Sequence, residues 1–573
     1  MVEGRQFASI AALMAACLVA HPAAAANPDP FAKLADAYKR RDATIAADAY
    51  SGQAEVVYRY FGAPTERYKG RPAIRSSFAA LFGSVAPESS LDLNFRVTNK
   101  APRFAQGFYR LRIGTEVTNY GRFAVRFDND GRFVSDESTD STIAEFETAT
   151  GPLLIKPDDE ELDRTYYRRL AGRYRLPNGC QLVVTRSSVR LFVRNMCSQE
   201  WRGLNRVSGL EWTAGDTVIS DQVKARYRFV SPGTGLSPSL TLSAGAQSAV
   251  AKRVDSYSSE DVTFAGKGGI RLSGTIYRPN RRVARSGVVL VHGSGPQDRD
   301  GYASIIAVMA DALASSGRAV LVYDKRGSGQ SGGDGNRANF DLLGEDAAAG
   351  MRFLASHLRL DPTKIGLAGS SQAGWIVAKA IANGARPRDV FLLGAAGTAM
   401  TVAQQNIYNT RVRMLCAGIP AAEVDLAIAQ QQAFFDALAD RAKAGALDAI
   451  TARAKPNARI AEWLFPDSSG LTANDGSWFT VLDPSFNPFP VWKKYPGKAT
   501  FVFSQHDDAT DTQFVTSILG RSVGEVRILP GAQHLGLRTT DRCRADIGLL
   551  QRFSAELFDQ LDRFAKAGAR HGA

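Results

Sequence analysis

The stretch Lys364-Ile-Gly-Leu-Ala-Gly-Ser-Ser-Gln-Ala-Gly-Trp375 constrains the fold more than any other part of the chain. A short apolar segment, typical of a strand, runs without loop residues into a serine among small residues and then into an amphipathic helix predicted from about Gln372 to Asn383. A turn this sharp is strained and projects the serine hydroxyl above the sheet. The positive end of the helix favours an anionic intermediate at the same place. The pattern predicts a nucleophile elbow, with an ordinary flexible loop as the alternative.

Two adjacent serines occupy this turn, and both are candidate nucleophiles. Ser371 has a glycine two residues before it and an alanine two residues after it, whereas Ser370 lacks this spacing. Because small neighbours leave room for the strained turn, Ser371 is the predicted nucleophile.

Length and charge limit the class of protein. A chain of 573 residues is too long to fold around a single hydrophobic core, so we expect several domains. The formal charge of +13 is scattered, without a dense basic run or a nucleic-acid motif. A basic surface is therefore predicted, and no nucleic-acid partner.

The apolar run at residues 7–20 follows Arg5 and precedes a series of small residues. This is typical of a secretory signal, and we predict a signal peptide at residues 1–26 with cleavage after Ala26. Lipidation at Cys17 is the weaker alternative, because Met14 occupies the first position of its box. No other segment approaches the ~18 apolar residues of a membrane span. We expect an exported protein, periplasmic or extracellular.

Four cysteines remain after the signal, in a compartment where thiols tend to pair. Cys180 and Cys197 flank predicted strands at 181–185 and 189–193, so a hairpin would bring them together, and a disulfide between them is predicted. Cys416 and Cys543 are left open, either free or joined.

Residues 27–155 follow the order helix, strand, helix, antiparallel strands, with Asp130-Gly131 as a hairpin signal. This order, with the helix Gly70-Arg-Pro-Ala-Ile-Arg-Ser-Ser-Phe78, resembles the cone-shaped fold of nuclear transport factor 2 and the SnoaL-like proteins. Some members of that fold are enzymes, but no histidine and no acid–base pair stands out here. We interpret the domain as a module for packing or for forming a homodimer.

Residues 156–256 contain short alternating segments broken by turn signals such as Asn178-Gly179. They predict a small antiparallel β-domain. Trp201 and Trp212 are candidates for a binding face or, as is commoner for tryptophan in such a module, for its core.

From residue 257 onward, predicted strands alternate with helices, as in a mainly parallel sheet. The predicted strands are 262–265, 271–277, 287–291, 319–323, 364–368, 390–393, 499–503 and 525–529. The elbow follows the fifth of them. Residues 401–493 interrupt the alternation after the sixth strand and are interpreted as a helical lid.

A serine nucleophile needs a base and a carboxylate to orient that base. His534 lies in the loop after the eighth predicted strand and is the base we predict. Asp507 follows the seventh strand and is the predicted acid, with Asp508 as the alternative. The oxyanion also needs backbone N–H donors, for which we predict Gln372 and Ser294.

Two strings carry a resemblance to a branch of bacterial serine esterases in the α/β-hydrolase superfamily. They are His292-Gly-Ser-Gly-Pro-Gln-Asp-Arg-Asp300 and Tyr323-Asp-Lys-Arg-Gly-Ser-Gly-Gln-Ser331. The resemblance covers about residues 257–564. One departure is the elbow, where the usual His-Ser-x-Gly-Gly is Ser370-Ser-Gln-Ala-Gly374.

The resemblance implies an α/β-hydrolase domain at 257–573 that includes the lid. The α+β cone-like domain and the small β-domain precede it. It implies hydrolysis of a small carboxylic ester through an acyl-Ser371 intermediate. A peptidase or a thioesterase would use the same triad, and a binding protein with a degenerate hydrolase fold is the alternative from another class. The chain has no P-loop lysine and no His/Cys cluster with ligand spacing, so neither a metal nor an organic cofactor is predicted.

Apolar lid side chains suggest the kind of ester. We expect some of them to face the pocket and to favour small or medium acyl groups, because each buried methylene contributes ~0.8 kcal/mol. The alternative is that they only pack the lid onto the sheet. The side chains are Ile407, Tyr408, Val412, Met414, Leu415, Phe434, Phe435, Trp463 and Phe465.

Overall fold

The computed structural model describes most of the chain after the predicted signal peptide. The described residues are 29–59, 66–83, 90–101, 103–113, 116–140, 167–187, 190–206, 210–215, 223–233, 235–280, 283–295, 297–416, 418–440, 460, 464, 482–520, 523–543 and 552–570. The signal peptide at 1–26 and the lipidation candidate Cys17 lie outside them. The chain divides into two compact units, the first reaching Arg194 and including Arg202–Arg253, and the second formed by Asn195–Trp201 and Val254–Ala573.

Unit 1 begins with an α+β part built on a six-stranded sheet. Its helices are α1 (Pro30–Arg40), α2 (Ala43–Ala47) and α3 (Arg71–Gly83). Its strands are β1 (Tyr50–Arg59), β2 (Glu66–Lys69), β3 (Leu91–Ala101), β4 (Phe104–Ile113), β5 (Glu116–Phe127) and β6 (Phe133–Asp140), in the order β2-β1-β6-β5-β4-β3. The predicted hairpin at Asp130-Gly131 joins β5 to β6, and Gly131 takes the positive φ of 74° that the turn requires.

The first predicted helix, expected to present Phe31, Leu34, Tyr38 and Ile45 on one face, is in fact two helices. Arg41 adopts a left-handed φ of 55° and ends α1, and the Asp42 side chain then accepts from the N–H groups of Thr44 and Ile45 and begins α2. A side chain that caps its own following backbone competes with helix continuation, which the apolar spacing alone did not indicate.

A buried acid–base pair, which the sequence analysis did not single out, lies in this sheet. The Tyr50 hydroxyl donates to Asp136 at 2.9 Å, and both side chains are fully buried. Burial raises the pKa of Asp136 to about 7, although hydrogen bonds from Tyr50 and Ser138 act in the opposite direction. Its proton affinity therefore depends on the folded state.

The rest of unit 1 is a closed antiparallel barrel. Its strands are β7 (Gly172–Arg175), β8 (Gln181–Ser187), β9 (Arg190–Asn195), β10 (Trp201–Arg206), β11 (Glu211–Ala214), β12 (Ala225–Phe229), β13 (Ser239–Ala244) and β14 (Gln247–Arg253). Trp212 packs edge-on against Tyr167 in the barrel core. Trp201 is buried as well. Neither tryptophan presents an exposed binding face.

Unit 2 is built on an eight-stranded sheet in the order β15-β16-β18-β17-β19-β20-β21-β22. The strands are β15 (Tyr257–Ala265), β16 (Arg271–Pro279), β17 (Gly287–Val291), β18 (Ala319–Tyr323), β19 (Ile365–Ser370), β20 (Asp389–Leu393), β21 (Lys498–Ser504) and β22 (Glu525–Leu529). β15 and β16 pair antiparallel, and the strands from β17 to β22 run parallel. Each of the eight predicted strands is present, and the elbow follows the fifth in chain order. This is an α/β-hydrolase fold.

Helices connect and cover these strands. They are α4 (Ile305–Ser315), α5 (Phe340–Leu358), α6 (Ala373–Ala382), α7 (Val402–Cys416), α8 (Ala421–Ala439), α9 (Phe489–Lys494), α10 (Thr512–Leu519) and α11 (Ala555–Arg570). α5 contacts α6, and α4 contacts α11. The strands β17 to β20 are buried along their whole length, as expected for a parallel sheet covered on both faces. None of the helices among the described residues is long and apolar enough to cross a membrane.

The helices α7 and α8, in the predicted lid, bury apolar side chains in two clusters. Met414 packs in one cluster with Val424 and Ala427, and Phe434 and Phe435 pack in another with Leu438. Leu415 is half exposed. Trp463 and Phe465 lie outside the described residues. These buried side chains pack within the helical insertion rather than onto the sheet, and they do not indicate the shape of a substrate pocket.

All four cysteines of the described chain are disulfide-bonded. Cys416, at the end of α7, is joined to Cys543, which lies 127 positions later in the sequence. Cys180 and Cys197, the pair predicted from sequence, are each disulfide-bonded as well.

Candidate active site

Three loops gather at the carboxyl edge of the parallel sheet in unit 2. Ser371 follows β19, Asp507 follows β21 and His534 follows β22. Because parallel strands all end at the same edge, residues that are far apart in sequence meet there.

Ser371 occupies the turn between β19 and α6 with a left-handed φ of 56°. Its N–H donates to the Leu393 carbonyl at 2.8 Å, which holds the turn against β20. A side chain at Gly369 would place its Cβ 2.4 Å from the Val291 carbonyl oxygen, so only glycine fits before the elbow. Ser370 is the last residue of β19 and is buried. The strained position that an elbow requires is therefore that of Ser371.

His534 lies between Ser371 and Asp507. Its Nε2 is 3.0 Å from the Ser371 Oγ, and its Nδ1 is 2.9 Å from each Asp507 carboxylate oxygen. Gly394 packs beside the histidine, where an added Cβ would approach the His534 carbonyl oxygen to 2.6 Å. A serine, an imidazole and a carboxylate in this order can relay a proton from the serine to the imidazole.

The Asp507 carboxylate is fixed by its own loop. Its Oδ1 accepts from the N–H groups of Ala509 at 2.9 Å and Thr510 at 2.7 Å, and the residue is 1% exposed. Asp508 is half-buried, and its backbone carbonyl accepts from Asn409. Asp507 is thus the member of the Asp507-Asp508 pair that contacts His534.

The predicted oxyanion donors lie on either side of Ser371. Gln372 directly follows it at the N-terminus of α6. Gly293, the neighbour of Ser294, lies close to the nucleophile, since a Cβ added to Gly293 would be 3.5 Å from the Ser371 Cβ. The Ser294 carbonyl accepts from the Gln297 amide at 2.6 Å. Both backbone segments can therefore present N–H groups to the space beside the Ser371 hydroxyl.

Lys325 joins these two segments, and the sequence analysis gave it no role. Its ammonium donates to the carbonyls of Gly293 and Gly295, each at 3.0 Å, and to the Gln372 side-chain oxygen at 2.6 Å. Burial lowers the pKa of Lys325 to about 7, whereas three acceptors favour its charged form. The sequence signal for such a role was its position two residues after β18, at the edge of the sheet where the other loops gather.

A buried ion pair joins the two strings that carry the esterase resemblance, and a second pair joins the later string to α5. Arg299 binds both carboxylate oxygens of Asp324, at 3.0 and 2.8 Å, with both side chains buried. Arg326 binds Asp346 of α5 at 2.7 Å. A buried pair with bidentate geometry fixes orientation as well as distance.

The lid helix α7 holds the loop that carries Asp507. Side chains at i, i+3 and i+4 on one face of the helix, Gln405, Tyr408 and Asn409, donate to the backbone carbonyls of Ala509, Asp507 and Asp508. The distances are 2.8, 3.0 and 3.0 Å, respectively. The lid and the acid loop are therefore one hydrogen-bonded assembly.

Two other histidines lie away from the Ser371–His534 contact. His292 is buried edge-on against Tyr323, and burial, followed by the nearby Lys325 charge, lowers its pKa to about 4. His357 ends α5 and contacts Glu260. A pKa of about 4 makes His292 a weak base near pH 7, and it is His534 that contacts the Ser371 hydroxyl.

A surface cavity of about 820 Å³ lies at the amino ends of the strands, where Asp389, Lys498 and Glu525 contribute to its lining. It is at the opposite edge of the sheet from Ser371 and cannot serve the triad. Within the residues that the structure describes, no group of three or more His, Cys, Asp or Glu side chains is placed to hold a metal ion.

Comparison with known proteins agrees with the fold. Residues 288–545 match the model of the alpha/beta hydrolase family. This range spans the strings, the elbow, the lid and all three residues of the Ser371–His534–Asp507 network. Unit 2 is an α/β-hydrolase in fold, and the match supports a hydrolase in general terms. No curated protein matches the chain.

Several solved structures resemble about half of this chain at low identity. An esterase of Pyrococcus furiosus, Pf2001, is 14% identical, with 55% of this chain and 92% of that chain covered and a TM-score of 0.34. A thermophilic esterase of Thermogutta terrifontis is 16% identical, with 54% and 99% covered and a TM-score of 0.33. The alpha/beta hydrolase GrgF of Penicillium sp. sh18 is 18% identical, with 55% and 99% covered and a TM-score of 0.34. At these identities and scores, the likenesses carry no conclusion about activity.

Proposed function

We propose that the protein is a serine hydrolase that cleaves carboxylic esters through an acyl-Ser371 intermediate. One observation carries the proposal, the continuous contact from the Ser371 hydroxyl through His534 to the Asp507 carboxylate at distances of 2.9 to 3.0 Å. A serine hydroxyl is a poor nucleophile near pH 7, so an adjacent oriented base is the feature that gives it reactivity.

Each residue of the site has a separate role in the reaction. His534 Nε2 takes the hydroxyl proton while the Ser371 Oγ attacks the ester carbonyl, and the oxyanion accepts from the N–H groups of Ser294 and Gln372. As the intermediate collapses, the C–O bond to the alcohol breaks, and His534 returns the proton to that alcohol. A water molecule then attacks the acyl group by the same route and frees Ser371. Asp507 holds the imidazole in the tautomer that accepts at Nε2.

An ester of a small or medium acyl group is the substrate class we favour. Among the described residues of unit 2, two buried cations of the strings are already engaged, Arg299 with Asp324 and Lys325 with the carbonyls of Gly293 and Gly295. They form no dense charged pocket for a peptide terminus. A peptidase or a thioesterase remains the alternative on the same three residues.

The first experiment is labelling with a fluorophosphonate probe, which reacts with an activated serine and requires no knowledge of the substrate. We expect the wild type to be labelled and Ser371→Ala to show no labelling. The far-UV circular dichroism spectrum and the melting temperature of Ser371→Ala should match those of the wild type. Turnover of p-nitrophenyl esters should fall about 10⁶-fold. The matched control is Ser370→Ala, which should still be labelled. Loss of labelling in Ser370→Ala but not in Ser371→Ala would show that Ser370 is the nucleophile.

A substrate series separates ester from amide hydrolysis. We expect kcat/KM on p-nitrophenyl acetate or butyrate to exceed that on aminoacyl and dipeptidyl amides. Preference for the amides would make the protein a peptidase. An unlabelled wild type with an intact fold would favour a binding protein.

Export is proposed on two grounds, the signal-like residues 1–26 and the bonded state of the four described cysteines. Disulfides persist in oxidising compartments such as the periplasm. Mass spectrometry of the protein secreted by its native host should show an N-terminus at Asn27.

A further inference from the structure

The Lys325 ammonium lies behind the predicted oxyanion hole and contacts both of its sides. It has three protons to donate, and its three acceptors are the Gly293 carbonyl, the Gly295 carbonyl and the Gln372 side chain, at 3.0, 3.0 and 2.6 Å. Gly293 and Gly295 flank Ser294, and Gln372 is the second predicted donor. One side chain thus joins two loops that are 77 residues apart, since Gly295 and Gln372 differ by that number.

The geometry of the peptide bond gives this contact a consequence for the site. A peptide unit is planar and trans, so the Gly293 carbonyl and the Ser294 N–H point in opposite directions. Lys325 holds the carbonyl, and the N–H is therefore directed away from Lys325. Polarisation of the carbonyl by the ammonium also strengthens the same peptide as a donor through its N–H.

The backbone of Lys325 is itself held in place. Its backbone N–H donates to the Gln297 carbonyl at 3.0 Å. Asp324, the preceding residue, carries the buried contact with Arg299. The side chain is 8% exposed, so water does not compete freely for its three acceptors. An ammonium held in this way fixes the position of the loop that it contacts.

We propose that Lys325 is a positioning residue of the oxyanion hole, which it sets by binding the loop of Ser294 and the side chain of Gln372 together. The inference rests on the proposed function and deepens it. Lys325 does not touch the substrate. It acts through the two backbone segments that stabilise the transition state, so its removal should affect turnover far more than substrate binding.

The central variant is Lys325→Met, which keeps the length of the side chain and removes the three donors. We expect kcat on p-nitrophenyl butyrate to fall by about 10²-fold, comparable to the loss of one oxyanion donor, with little change in KM. Affinity for butylboronic acid, whose tetrahedral adduct places an oxygen in the hole, should fall by a similar factor. Lys325→Gln retains an amide that can donate, and it should recover part of both losses.

The control for stability is Arg318→Met. Arg318 is also a buried cation of unit 2, and it binds the Asp389 carboxylate at the amino edge of the sheet, far from Ser371. We expect its loss to lower the melting temperature as Lys325→Met does. Once rates are normalised to the serine titrated by fluorophosphonate, however, kcat and boronate affinity should stay at the wild-type values.

Hydrogen exchange tests the contact without any catalysis. Peptides that cover residues 292–295 should exchange at least about tenfold faster in Lys325→Met than in the wild type, and not in Arg318→Met. Unchanged exchange in Lys325→Met, or unchanged kcat and boronate affinity per titrated serine, would overturn the inference. A wild type that does not react with fluorophosphonate would overturn the proposed function instead, and the exchange result would still decide whether Lys325 holds the loop.

Discussion

Asp507 and Asp508 are adjacent and chemically identical, so the difference between them lies in their local hydrogen bonds. Two backbone N–H groups, those of Ala509 and Thr510, donate to the Asp507 carboxylate and turn it toward His534. Asp508 instead contributes its backbone carbonyl to the contact with Asn409. A carboxylate that accepts two N–H groups keeps one orientation, and that orientation fixes the ring of His534.

Replacement of the acid tests this assignment. Asp507→Asn should lower kcat by about 10⁴-fold, because an amide at this position favours the wrong imidazole tautomer. Asp508→Asn is the matched control and should stay within about threefold of the wild type, as is usual for a group outside the proton relay. Steady-state rates on p-nitrophenyl butyrate, together with melting temperatures, decide the comparison. The reverse order of losses would transfer the role to Asp508.

At the scale of elements, α7 connects the lid to the acid loop. Tyr408 is central to this connection, because its hydroxyl donates to the Asp507 carbonyl and accepts from Arg542. The disulfide between Cys416 and Cys543 joins the end of the same helix to the segment that follows His534. The lid is therefore coupled to two of the three triad loops by contacts that do not involve a substrate.

Removal of one hydroxyl measures this coupling. Tyr408→Phe should lower the free energy of unfolding by about 1 kcal/mol, the usual net value of a hydrogen bond, and lower kcat roughly fivefold as the acid loop loosens. Tyr495→Phe is the control, because the Tyr495 hydroxyl also donates to a backbone carbonyl, that of Pro387, just before the amino end of β20. It should lose similar stability and keep its kcat. Equal rates in the two variants would mean that α7 does not position the acid.

The elements that sequence predicted well are those whose signal is local. The strands β17, β18 and β22 begin and end at the predicted residues, because apolar runs bounded by turn signals need no distant partner to be recognised. Ser371 and His534 could be predicted as site residues because the order of strands places their loops. The break at Arg41 was missed because it depends on the side chain of Asp42, which caps α2.

The contacts that sequence could not predict join residues distant in the chain. The role of Lys325 depends on the carbonyls of Gly293 and Gly295 and on the Gln372 side chain, which only the folded sheet brings together. Tyr50 and Asp136 are 86 residues apart and form a buried pair that no motif marks. Apolar composition likewise failed to distinguish lid side chains that pack on one another from those that would face a substrate.

At the scale of the whole molecule, the two compact units predict more than one unfolding transition, since multidomain chains depart from two-state behaviour. Asp136 provides a way to identify the transition of unit 1. Burial raises its pKa to about 7, whereas an unfolded aspartate has a pKa of about 3.9. Between these values the folded state binds a proton that the unfolded state does not bind.

The sign of the effect follows from this difference in bound protons. The contribution of Asp136 to stability is complete below about pH 4, and it is lost as the pH rises toward 7. From pH 5.5 to 8 the loss should be on the order of 2 kcal/mol, at 1.36 kcal/mol for each unit of pKa difference that remains. Glu66, half-buried beside Tyr68, has a pKa raised by burial to about 7 and adds a loss of the same sign.

Calorimetry of the full chain at pH 5.5 and pH 8 tests this assignment in the wild type, in Asp136→Asn and in Arg318→Met. The transition of unit 1 should move to lower temperature at pH 8 in the wild type, and this shift should be smaller in Asp136→Asn, because an amide carries no charge to bury. Arg318→Met should lower only the transition of unit 2, since Arg318 and its partner Asp389 both belong to that unit. If Asp136→Asn and Arg318→Met altered the same transition, the two units would unfold as one, and the pH dependence would belong to the whole chain.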